Sequence, residues 1–128
     1  MSGTQVDRSV PGEVAAGISN AIVRLLAEYT GRGPTKARTY LNQDLVTVVL
    51  RDTLTKGERS LIREGDVSVV MSTCQAFQNA MKDEMVAAVE QYSGQSVFAF
   101  LSANHIEPDI AVETFVLAPS SNGDVAEE

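Results

Sequence analysis

The sequence predicts one α+β domain, a layer of helices laid on an antiparallel sheet of about four strands. Three observations predict it. Apolar residues recur at helical spacing in two long stretches, 14–29 and 67–92. Four short runs rich in β-branched and aromatic residues fall into two pairs, within 37–50 and 95–117. Helical stretches lie before and between the pairs, so the order is helix, hairpin, two helices, hairpin in a two-layer domain.

Residues 1–10 are polar and mostly small, the composition of a disordered leader. Pro11 suits the first turn of a helix. Val14, Ile18, Ile22, Leu25, Leu26 and Tyr29 form its apolar stripe. Gly31 stands where a left-handed residue ends a helix, and Pro34 bars continuation. Ala37, Thr39 and Leu41 alternate with Arg38 and Tyr40, the pattern of a half-exposed strand. Asn42-Gln43-Asp44 is a turn by composition. The run from Leu45 to Leu50 is nearly all apolar and β-branched, as in a strand covered on both faces, so it is placed centrally.

Thr55-Lys56-Gly57-Glu58 is a capping box that opens a short helix, and Gly65 marks its end. A long helix over 66–93 carries Val67, Val70, Met71, Cys74, Phe77, Met81, Met85, Val89 and Tyr92 on one stripe, and Gly94 stops it. Two strands follow, over 95–101 and 111–117. A polar loop from Ser102 to Asp109 joins them, with Pro108 breaking any pairing there. Beyond Pro119 the chain is small, polar and acidic. The single domain is therefore expected over 11–118, with a disordered tail over 119–128.

A chain of 128 residues is one domain by size. No apolar run approaches the ~20 residues that span a bilayer, and residues 1–10 lack the basic and apolar regions of a signal peptide. The lone Cys74 allows no internal disulfide. These features predict a cytoplasmic protein that does not insert into a membrane. The net charge of −7 argues against nucleic-acid binding. That charge is uneven. Between Arg24 and Arg63 there are eight basic and four acidic residues, whereas from Glu64 onward eleven acids face only Lys82. Such polarity is either a solvated surface or a basic face for an anionic ligand, a partner or a second copy.

No catalytic constellation is visible, so no enzyme, cofactor or metal is expected. His105 is the only histidine and has only scattered carboxylates nearby, a weak basis for a metal or a general base. Cys74 lies on the apolar stripe and reads as an inert thiol. The candidate ligand site is Arg32, Gly33, Lys36 and Arg38, where a glycine turn and three cations can cradle an anion. The plainer reading of the same glycines is a helix end followed by a turn, since a helix C-terminus repels anions.

The run YTGRGPTKARTYLNQDLVTVVLRDTLTKGERSL, with Ser93-Gly94-Gln95-Ser96-Val97 before the last hairpin, resembles the MpsC-type family. Its usual pattern is Gly-[Arg/Lys]-Gly-Pro, a hairpin, Leu-Thr-x-x-Glu, and later Thr/Ser-Gly-x-x-Val. The match covers about Gly12 to Ala118. Thr53 stands where the family often has glycine, and 66–76 lacks the basic residues often found there. The resemblance implies a soluble accessory or regulatory protein of a Na+-translocating, membrane-potential-generating system linked to cation and inorganic-carbon uptake. Transporter subunits are then the implied partners. The second reading, from the residues alone, is a sensor for bicarbonate, a nucleotide or another anion. A homodimer is also expected, because one helix layer covers one sheet face and leaves an apolar face to be buried. The basic early half and the acidic later half would then meet across the two-fold axis.

Overall fold

A computed structural model describes residues 10–119. Residues 1–9 of the expected leader and 120–128 of the expected tail lie outside the described residues. The elements are α1 (Pro11–Thr30), β1 (Lys36–Asn42), β2 (Leu45–Arg51), α2 (Lys56–Arg63), α3 (Val67–Ser93), β3 (Val97–His105) and β4 (Ile110–Leu117). This is the helix–hairpin–two helices–hairpin order that the residue patterns predict.

The punctuation works as the sequence implies. Gly31 takes a left-handed φ of 79° and its N–H donates to the Ala27 carbonyl at 2.9 Å, ending α1. Gly94 ends α3 in the same way at φ 75°. The capping box at α2 is complete: Thr55 Oγ1 accepts from the Glu58 N–H at 3.1 Å, and Glu58 Oε1 accepts from the Thr55 N–H at 2.8 Å.

The four strands form one sheet in the order β1-β2-β4-β3, with every neighbouring pair antiparallel. β2 and β4 are therefore central, and the other strand of each hairpin, β1 and β3, lies at an edge. α1 and α3 pack side by side on one face. Val14, Ile18 and Ile22 of α1 meet Met81, Met85 and Val89 of α3 over Val46, Val48, Leu50, Phe115 and Leu117. Each such side chain contributes about 1.5–3 kcal/mol on burial. Phe100 extends this core, its ring centroid 5.0 Å from that of Phe115. The helices come close at Gly17, where a Cβ would lie 2.4 Å from the Tyr92 ring.

Two expectations need correction. The segment expected as a loop from Ser102 is strand as far as His105: Ser102, Ala103 and Asn104 pair with Glu113, Val112 and Ala111. Polar side chains hid this, although their backbone groups form the ladder as well as any others. The apolar stripe of α3 is buried only in part, since Val67 and Met71 are exposed. A helix of 27 residues is about 40 Å long, whereas strands of seven to nine residues reach only about 25–30 Å. The start of α3 therefore runs past the sheet, and α3 also packs on α2.

Candidate functional site

The sheet face turned away from α1 and α3 has no cover among the described residues. Strand alternation sets its composition. On β1 the residues 37, 39 and 41 face α1, so Lys36, Arg38 and Tyr40 face outward, and all three are exposed. Across the sheet the register carries this face from Tyr40 through Thr47 and Thr114 to Leu101, and from Arg38 through Val49 and Val112 to Ala103. At the strand ends Lys36 lies directly opposite Arg51. A β-bulge between Val97 and Ala99 sets both Phe98 and Ala99 against Val116. Phe98 is 67% exposed, Leu101 59% and Tyr40 51%.

This face thus has an aromatic and aliphatic end around Phe98, Leu101 and Tyr40, and a basic end at Lys36, Arg38 and Arg51. Arg38 bridges the two, with its guanidinium carbon 5.3 Å from the centre of the Tyr40 ring. Among the described residues, no strand position on this face carries a carboxylate. The acids of the later half are elsewhere, for example Asp83 and Glu84 exposed on α3. Pairing of a basic with an acidic half is therefore not available within this surface.

The candidate anion residues divide between two places. Lys36 and Arg38 lie on the open face, joined there by Arg51, which sequence spacing did not group with them. Arg32 turns instead to the β2–α2 loop, where its Nη2 donates to the Asp52 carbonyl at 3.1 Å while its buried Nε has no partner. Gly33 lies against α1, and a Cβ there would meet Val23 at 3.5 Å.

The loop end of the sheet is held by two carboxylates. Asp109 accepts the backbone N–H groups of Thr53 and Leu54 at 3.1 and 2.9 Å, and Arg59 Nη2 at 3.4 Å. Asp52 has a left-handed φ of 58°, a conformation aspartate tolerates better than most side chains. Its carboxylate accepts the Thr35 hydroxyl at 2.5 Å. The cleft beside them, about 430 Å³, is lined by Arg59, Arg63, Glu107 and Asp109. His105 is tied to its own turn, Nδ1 standing 2.9 Å from the Pro108 carbonyl. Cys74 is half-buried, and burial pushes its thiol up to about 11, so it carries little thiolate at neutral pH.

A further polar group lies inside the core. Glu113 of β4 is 2% exposed, and Gln78 of α3 is 5% exposed. Gln78 Nε2 donates to Glu113 Oε2 at 3.4 Å. Burial pushes the Glu113 carboxyl up to about 7, and the neighbouring Ser102 and Gln78 side chains offset only part of that. Ser102 Oγ is close enough to act on the carboxyl, yet it meets no partner at hydrogen-bonding geometry. Sequence reasoning missed this group, although the signal was present. Glu113 has the strand parity of Ala111, Phe115 and Leu117, and Gln78 precedes Met81 and Met85 on the buried stripe of α3.

The fold and its surfaces define a class: a two-layer α+β domain with one open sheet face, and no helix among the described residues long and apolar enough to cross a membrane. The family model for the Na+-translocating membrane potential-generating system (MpsC) matches residues 11–119. The chain belongs to that family. No curated protein and no solved structure matches it.

Proposed function

We propose that this protein is a non-enzymatic accessory or regulatory component of a membrane transport system that moves cations or inorganic carbon. It works in the cytoplasm and docks through its open sheet face. Membership of the MpsC family over nearly the whole domain carries this reading. The open face supports it, since a surface with Phe98, Leu101 and Tyr40 this exposed is the kind that partners cover. In the isolated protein the cover is a second copy. A two-fold axis across the strands sets the basic end of one copy over the Phe98 and Tyr40 end of the other, which keeps the like charges apart and offers the cations aromatic faces.

The test is light scattering after size exclusion, paired with a pull-down from membranes of the native cell. The expected outcome is a dimer for the wild type and a folded monomer for Phe98→Asp with Leu101→Asp, and the double variant also loses the transport subunits that the wild type recovers. A wild-type pull-down without any transport subunit would count against the accessory role. A dimer that survives the double substitution would count against this face.

A second reading, an anion sensor, is favoured by Lys36, Arg38 and Arg51 standing together without a carboxylate, with Arg32 and Gly33 in the loop before them. Bicarbonate or a nucleotide at one hundred times its dissociation constant would then stabilise the wild type by about 2.7 kcal/mol. The same ligand would leave Lys36→Ala with Arg38→Ala unshifted in a thermal melt. An unshifted wild type removes this reading.

A further inference from the structure

Between the end of α1, the start of α2, the middle of α3 and the core face of the sheet lies a cavity of about 30 Å³. That is room for one water-sized occupant. Glu113, Gln78 and Asn104 line it from the sheet and α3, while the partly buried Thr30, Thr53 and Glu58 line it towards the surface. Among the described residues, two buried oxygens of this lining have no hydrogen-bond partner, Glu113 Oε1 and Gln78 Oε1, and Ser102 Oγ beside them has none either. Ser102 joins the group because it is the direct cross-strand neighbour of Glu113. Native interiors leave few such atoms unsatisfied, and three at one spot call for an occupant.

The nearby donors satisfy them only in part, the Ser102 hydroxyl being close enough to act on the Glu113 carboxyl. The Gln78 amide donates to Glu113 Oε2 at 3.4 Å, which leaves its own oxygen free. Turning that amide over helps only if Glu113 is protonated; the ionised carboxylate keeps an uncompensated negative charge in the core. One cation compensates that charge and takes the free oxygens as ligands. We propose that this cavity is a binding site for a small monovalent cation, held by the Glu113 carboxylate, the Gln78 amide oxygen and the Ser102 hydroxyl. The proposed ligands include one carboxylate, which balances a single positive charge; Glu58, the other carboxylate of the lining, is held in the capping box by the Thr55 N–H. A calcium-like ion would bring unbalanced charge into the core and usually recruits more carboxylates. The donors are hard oxygens, which select alkali ions over softer metals, and the protonated Cys74 thiol nearby is a poor ligand for either. Asn104 adds a neutral amide to the wall. The partly buried Thr30, Thr53 and Glu58 mark the side of entry.

The inference does not depend on the sheet face or its partner, so each can fail alone. The test is thermal unfolding of the full chain at pH 8.5 and constant chloride, with choline replaced stepwise by lithium, sodium or potassium. Expected is a saturating rise in Tm with at least one alkali ion over choline, absent in Glu113→Gln. The three ions arranged by half-saturation identify the preferred one. Ser102→Ala removes one ligand and leaves the carboxylate, and it should raise the half-saturating concentration about tenfold or more. A Tm identical in choline and all three alkali salts overturns the proposal. So does a saturating response that Ser102→Ala and Glu113→Gln both keep.

Discussion

Val48→Asp is expected to leave no folded protein. Val48 is fully buried at 0% exposure in β2, between β1 and β4. Its cross-strand neighbours are Thr39 and Glu113. An aspartate there would lose its hydration with no basic side chain opposite it, and it would stand beside a second buried carboxyl. The cost of an unpaired buried charge, with that repulsion added, reaches the ~5–15 kcal/mol by which a domain is stable at all. Far-UV circular dichroism and the soluble yield read the outcome. Arg38→Asp, one strand away on the exposed face, is the control and should fold. A Val48→Asp variant that melts cooperatively would mean that β2 is not the core strand.

Glu113→Gln should stabilise the protein at alkaline pH and do little in acid. The carboxyl has an ordinary value of 4.5 and is pushed up to about 7 in the fold, with burial the main cause. The folded state therefore favours the protonated form. Its stabilising contribution is complete below about 4.5 and is lost as the pH rises through about 7. The span between those values corresponds to about 3 kcal/mol. In a buffer free of alkali ions, wild type and variant should be close in stability near pH 4.5. By pH 8.5 the variant should lead by about that amount. Gln78 and Ser102 face the carboxyl, and Glu58 and Cys74 line the same cavity. All four are unchanged in the variant, so the difference between the two proteins isolates Glu113. Parallel stability curves across pH 5 to 8.5 would show that Glu113 is ionised and solvated throughout.

Much of the fold is legible in the residues because its signals are local. Gly31 and Gly94 need left-handed backbone, Thr55 and Glu58 cap each other, and Leu45 to Leu50 is almost wholly apolar and β-branched, which marks a central strand. What was not legible depends on distance. The hairpins name their own partners, but nothing near Leu45 says that it will lie beside Val116. The exposed start of α3 follows from the length of the sheet, which no single helix encodes. The candidate site shows the same division. Arg32, Lys36 and Arg38 are near one another along the chain, yet the turn at 33–35 sends Arg32 to Asp52 and the strand sends the other two to the open face. Glu113 was overlooked because one acid within a β-branched run reads as surface until its parity is compared with that of Phe115.

The bulge at Phe98 bears on how copies of this chain can add to one another. A sheet edge is an open-ended connector: each strand added to it presents a fresh edge, and growth need not stop. The outer strand β3 loses its regular ladder where Phe98 is inserted, which spoils its edge as a template. At the opposite edge, β1 presents exposed Lys36 and Arg38, which would repel the same strand of another copy. In the dimer proposed above, association is directed to the open face, and two faces related by a two-fold axis use each other up. Particle size should then level off at two copies with rising concentration.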